Sequence, residues 1–197
     1  MNVFVLCTGR CGSKAFAQAC EHITNYTVGH ETRKSLLGDD RFSYPDNHIE
    51  IDNRLSWFLG GLHERYGDDP LFVHLTRDRD RVALSYNRRW KIRTGIVRAF
   101  WHGILNRLRG VNMRRPRDPE KAMQACYDMV DTINSNIRFF LGNKTNKMNF
   151  SIENAKDDLI IFWEAIQAEG DLESALAVFD TTAAIAEKSW LFYENRK

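Results

Sequence analysis

No apolar run in the chain approaches the roughly 18 to 20 residues that cross a bilayer as a helix, so no transmembrane segment is expected. The first residues show no basic patch, no apolar stretch of signal-peptide length and no small-residue cleavage site. A strand-like run, Val3 to Leu6, begins almost at once, and the expectation is a cytoplasmic protein. Cysteine is scarce, with only Cys7, Cys11, Cys20 and Cys126 among 197 residues. Cys7 and Cys11 are not followed by a second pair or by a His-x-x-x-His, and no Asp/Glu cluster accompanies them, so no metal is expected. Cys7 and Cys20 read as packed interior thiols, and Cys11 as a reactive thiol in a loop. Repeats, low-complexity tracts and any recognised nucleic-acid reading module are also missing, which argues against a nucleic-acid partner. What remains is a globular balance, 43% hydrophobic and 27% charged, with enough chain for one domain, residues 1–197, around its own core.

The formal net charge of +2 hides an uneven distribution. Residues 77 to 117 carry thirteen Lys/Arg against two Asp/Glu, while the remainder is net acidic. Such a block suits an anionic partner or acceptor, although a solvated arginine face explains it as well.

Periodicity places the elements. Val3 to Leu6 is a buried strand, and Ala15, Phe16, Ala19 and Cys20 mark the inner face of a helix after it. Tyr26 to Glu31 reads as a short extended piece, residues 32 to 50 as a loop, and Asn53 to Tyr66 as a helix closed by Gly67. Leu71 to Thr76 is a second buried strand leading into a helix from about Asp80 to Ile92. An amphipathic basic helix, Thr94 to Arg109, and a linker, Met113 to Pro119, precede a long helix from Pro119 to Leu141. A strand at Met148 to Ile152 and helices at Asn154 to Ala168 and Asp171 to Phe179 follow, then a less regular tail, Thr181 to Lys197. Alternating strands and helices predict an α/β fold of three layers. A central parallel sheet is flanked by helices, and the C-terminal half is helix-rich.

Two stretches carry chemistry. Thr8-Gly9-Arg10-Cys11-Gly12-Ser13-Lys14 joins the first strand to the first helix. Glycines let the backbone approach an anion, amide hydrogens and the helix dipole face it, and Arg10 and Lys14 add full charges. The spacing is not that of a Walker A loop, and taken alone it also suits an ordinary strand-to-helix turn. The second stretch places Ser85 eight positions beyond Arg77, about two turns into the helix after the second strand. An arginine fork beside a hydroxyl is a good receptor for a terminal phosphate.

Together these motifs resemble the PAPS-dependent sulfotransferases, whose donor is 3′-phosphoadenosine 5′-phosphosulfate. The resemblance is to the bacterial type, with its P-loop NTPase-like fold. It implies that Thr8, Gly9, Arg10, Cys11, Gly12, Ser13 and Lys14 wrap the 5′-phosphosulfate and that Arg77 and Ser85 hold the 3′-phosphate. Arg10 falls where the family often has a catalytic Lys or Arg. Phe162-Trp163-Glu164 and the run from Gly170 to Leu176 look similar to bacterial members that act on carbohydrates or other small hydroxyl compounds. Cys11 stands where the family commonly has Ser, Lys14 where Thr is usual, and no glycine-rich C-terminal loop is present.

The expected reaction is transfer of a sulfuryl group from this donor to a hydroxyl acceptor, a carbohydrate or small alcohol, without metal. Arg10 and Lys14 stabilise charge on the moving group and the leaving phosphate. Glu31, or its neighbour His30, takes the acceptor proton, a role the resemblance assigns to a Glu or His in this region. Asn53, Arg54, Ser56 and Trp57 are candidates to line the acceptor site. His74 reads as a core histidine, His63 and His102 as helix residues without a named partner, and His22 and His48 as surface. Two other readings stay open: a P-loop-type nucleotide kinase or NTPase, and a family member that binds nucleotide without catalysis. The missing Gly-Lys-Ser/Thr and a strand that ends in Thr76-Arg77 rather than a metal-binding Asp weigh against the first.

Overall fold

A computed structural model describes residues 1–90, 99–100 and 117–181. Five parallel strands form one sheet: β1 (Val3–Cys7), β2 (Thr27–His30), β3 (His48–Ile51), β4 (Leu71–Thr76) and β5 (Lys147–Ser151), in the order β2-β3-β1-β4-β5. The helices are α1 (Ser13–Cys20), α2 (Leu59–Tyr66), α3 (Arg79–Arg88), α4 (Pro119–Gly142), α5 (Ala155–Ala165) and α6 at residues 172–181. The α/β class with a parallel sheet is therefore the observed one. Among the described residues no helix is long and apolar enough to cross a membrane.

The central strands β1 and β4 are buried on both faces because both faces are covered. Phe4 and Phe72 are partners across β1 and β4, and on their face Phe140 of α4 meets Phe72 at 5.1 Å and Tyr66 of α2 meets Phe4 at 4.9 Å. On the other face Phe150, in register with Leu75, meets Phe16 of α1 at 4.7 Å, and Phe16 meets Phe162 of α5 at 5.2 Å. Edge-to-face ring pairs of this kind add about 0.5–1.5 kcal/mol each beyond burial. Three layers result, with α2 and α4 on one side of the sheet and α1 and α5 on the other.

Three expectations need correction. Residues 48–51, read as the end of a loop, form β3 in the middle of the sheet. Their polar members are buried in pairs: the Glu50 carboxylate, fully buried, faces His48 Nε2 at 3.0 Å and accepts from the Thr32 amide and hydroxyl at 2.8 and 2.6 Å. His48 is accordingly a buried residue and not a surface one. The segment from Asn53 to Tyr66 is two pieces, a 3-10 turn at Asn53–Trp57 and then α2, because Phe58 (φ −126°) leaves helical geometry between them. The strand and helix near residue 150 shift slightly, with a short 3-10 turn at Ile152–Asn154 between them. Most of the expected basic helix 94–109 and of the linker 113–119, and nearly all of the tail 181–197, lie outside the described residues.

Strand β1 sits where the chain's direction of winding reverses. It is followed by α1 toward β2 on one side, whereas β3 leads through α2 over the sheet to β4 on the other. In open parallel sheets the crevice beyond the carboxyl ends of the strands at such a point is where ligands bind.

Candidate functional site

The carboxyl ends of four strands converge there. From β1 come Thr8 to Ser13, from β2 Glu31, from β3 Asp52 to Arg54, and from β4 Arg77. The β1–α1 loop is held in an unusual shape: Gly9, Arg10 and Gly12 all have positive φ, at 76°, 59° and 91°. For Arg10 this left-handed conformation costs about 1–3 kcal/mol, which the surroundings must enforce. Positive φ at Gly9 and Arg10 in succession, and again at Gly12, is the kind of backbone whose amides can gather into an anion-binding nest. At Gly9 a Cβ would lie 2.6 Å from the Tyr86 hydroxyl and 2.7 Å from Asn53 Nδ2, so no larger residue fits. Gly12 is the N-cap of α1 and offers no side chain to its first amides, and the first turn holds no acidic residue. The positive end of the α1 dipole is therefore opposed by no acidic side chain.

The two sequence motifs meet. Arg10 Nε lies 3.0 Å from Ser85 Oγ, and Arg77 donates to the Arg10 carbonyl at 3.4 Å. The Tyr86 hydroxyl donates to the Thr8 carbonyl, tying α3 to the same loop. Burial, and then the like charges of Arg89 and Arg77, lower the pKa of Arg10, which nonetheless remains a guanidinium cation. A knot of three arginines with no carboxylate among these contacts is complementary to a dense anion.

The loop amides already act on one sulfur. Cys11, expected in the loop as a reactive thiol, does lie in the loop but is completely buried there. Its pKa is lowered by a hydrogen bond from Cys7 and, against burial, by the amides of Cys11, Gly9 and Ser13. Cys7, at the end of β1, is pushed up by the same pairing and by burial.

The expected proton acceptors lie to one side. His30 Nε2 faces Ser13 Oγ at 3.3 Å, which brings β2 against the loop. Glu31, itself at φ 57°, pairs with Arg54 NH1 at 2.8 Å. Burial alone would raise the Glu31 carboxyl. The hydrogen bond and charge of Arg54, with His30 and Lys34 behind them, outweigh that and hold it below the usual carboxylate range. Lys14 is exposed on the first turn of α1.

Several contributions escape a sequence reading. Arg54, expected as an acceptor-site residue, is the partner of Glu31. Asp52, buried and raised by burial against the pull of Arg54, accepts from the Arg54 amide at 2.8 Å and so sets where Arg54 begins. Glu50 anchors Thr32 and thereby the turn that carries Glu31. The alternation of Ile49 and Ile51 was the available signal for β3, and its polar neighbours concealed it. No signal in the sequence pairs Glu31 with Arg54 or Tyr86 with Thr8. Comparison with protein families, with curated proteins and with solved structures finds no match for this chain.

Proposed function

We propose that this chain is a sulfotransferase that moves a sulfuryl group from 3′-phosphoadenosine 5′-phosphosulfate to a hydroxyl acceptor, with a P-loop-like sulfotransferase arrangement of its sheet and loop. The observation that carries the reading is the contact of the two motifs: Arg10 on Ser85 at 3.0 Å, with Arg77 on the Arg10 carbonyl. A donor phosphorylated at both ends needs two anion receptors side by side, and the nest with its arginine knot offers them. The fit is supported by the left-handed backbone of Gly9, Arg10 and Gly12, which shapes the loop at the start of α1, and by a first turn of α1 without an acidic residue.

The donor, when bound, supplies an activated sulfuryl group. The chain's own residues do the rest. Loop amides and Ser13 hold the 5′ end, Arg77 and Ser85 the 3′-phosphate, and Arg10 and Lys14 offset charge that grows on the departing phosphate. Glu31, ionised by its pairing with Arg54, accepts the acceptor's hydroxyl proton, and His30 orients the Ser13 side of the loop. Arg54 keeps Glu31 charged at neutral pH and also makes it a weaker base, so the pair must loosen as the acceptor approaches.

The test is transfer of labelled sulfate from this donor to a panel of sugars and alcohols. Turnover that is lost in Arg77→Ala and in Ser85→Ala supports the enzyme. Bisphosphoadenosine binding without turnover across the panel favours a non-catalytic nucleotide-binding role, and magnesium-dependent ATP binding in its place favours a kinase or NTPase.

A further inference from the structure

On the sheet face that carries α2 and α4, those two helices part to leave a groove of about 510 Å³. That lies within the range of roughly 300–1,000 Å³ typical of small-molecule sites. Trp57, Leu59 and Gly60 form one wall and Phe139 and Phe140 the other, with Asn136 and Asn143 along the rim and His63, Asp68 and Lys144 at one end. Phe140 has a packing role against Phe72, but Phe139 is 83% exposed and Trp57 38% exposed. Trp57 packs part of its ring against Phe100 at 6.4 Å and turns the rest across the groove toward the exposed Phe139, and this apolar lining points to a ligand with an apolar body.

The charged end argues against an anion. The Lys144 ammonium, its side chain only 3% exposed, donates to His63 Nδ1 at 2.7 Å, to the Gly67 carbonyl at 2.6 Å and to Asp68 Oδ1 at 2.7 Å. All three of its protons are used, and Asp68 matches its charge. Because His63 accepts at Nδ1, its ring proton resides on Nε2, a single neutral donor beside the groove. At the other end Ser56 bonds the amide and carbonyl of Cys7 at 3.3 and 3.0 Å, the residue from which the anion loop departs.

We infer that this groove binds an uncharged amphiphile, an aryl or alkyl body with an oxygen acceptor that faces His63 Nε2. The claim stands on the groove itself and is independent of the sulfotransfer reading.

Gly60 provides a clean probe. It lies within α2 without positive φ, and a Cβ there would meet nothing within 4 Å. Gly60→Phe therefore fills the groove and favours the helix, so loss of binding does not reflect unfolding. Naphthalene-2-methanol, naphthalene-2-sulfonate and N-acetylglucosamine are titrated into the full chain by equilibrium dialysis, and circular dichroism confirms the fold of each variant. The alcohol is expected to bind at least about tenfold more tightly than the sulfonate or the sugar, and at least about tenfold more weakly to Gly60→Phe than to the wild type. Phe139→Ser weakens it in the same direction. Bisphosphoadenosine binding is unchanged in both variants. Folded Gly60→Phe that binds the alcohol like the wild type, or a wild type that prefers the sulfonate or the sugar, overturns the binding claim. Groove-dependent alcohol binding in a chain that does not bind bisphosphoadenosine supports the site while overturning the sulfotransfer reading, so the two failures are distinguishable.

Discussion

Arg10 and Ser85 are 75 residues apart in sequence, and Arg10 Nε lies 3.0 Å from Ser85 Oγ. The contact joins the loop after β1 to the helix after β4, the two neighbouring strands at the centre of the sheet. It holds the Arg10 guanidinium over the helix that also carries Tyr86, whose hydroxyl grips the Thr8 carbonyl. One prediction follows directly. Ser85→Ala removes a neutral partner of a charged group that is only half-buried, so the fold survives, while bisphosphoadenosine binding weakens by about tenfold to a hundredfold. Calorimetric titration of the variant beside the wild type measures it.

Gly9 ties loop shape to stability. At φ 76°, with Tyr86 and Asn53 within 2.7 Å of any added Cβ, Gly9→Ala meets both backbone strain and a clash. We expect a loss of about 1–3 kcal/mol, seen as a Tm lower by several degrees, together with loss of anion binding. An unchanged Tm would mean that the loop does not hold this conformation in solution.

Glu31 and Arg54 set a pH dependence. Arg54 holds the Glu31 carboxyl below its usual range against burial, so Arg54→Ala lets burial dominate and raises it. A base that protonates at higher pH loses activity earlier on acidification. The acidic limb of the kcat/KM profile therefore moves to higher pH in Arg54→Ala, and Glu31→Gln lowers kcat by about a hundredfold to ten-thousandfold at every pH. The ion pair also contributes stability that is present above the unfolded carboxylate pKa and lost as pH falls through the lower folded one.

Much of this architecture was legible in the sequence, and the reasons differ by element. Val3 to Cys7 is a continuous apolar run and Leu71 to Thr76 one broken only by His74 before its terminal Thr76, because β1 and β4 are covered on both faces, and α4 shows an unbroken helical stripe from Ala122 to Leu141. β3 was hidden because Glu50 and His48 are buried together as partners, a pairing that a polarity pattern reads as exposure. The loop and the Arg77–Ser85 spacing could be read because each is local in sequence. The partners of Glu31 and Thr8 could not, since Arg54 and Tyr86 reach them only through the parallel register that brings strand ends together. Cys11 read as reactive because it lies in a loop, but that loop folds inward onto Cys7.

His74 supplies a separate test of the core. It lies buried on β4, with Nε2 3.1 Å from Asn134 of α4, and burial lowers its pKa despite that bond. The unfolded chain thus binds this proton more readily than the folded one, and stability falls as pH drops below about 6.5, the unfolded histidine value. In His74→Asn the slope of unfolding free energy over that interval is shallower, measured by urea denaturation at a series of pH values. An identical slope would place the pH dependence elsewhere.

The central claim is a two-ended phosphate grip made by the β1–α1 loop with Arg77 and Ser85. Its most direct test is calorimetric titration of the full chain with 3′,5′-bisphosphoadenosine and with ATP, each with and without magnesium. The account predicts tight binding of bisphosphoadenosine that is independent of magnesium and is weakened at least about tenfold by Arg77→Ala, with ATP binding far weaker. ATP bound more tightly than bisphosphoadenosine, or bisphosphoadenosine bound equally well by Arg77→Ala, would contradict it.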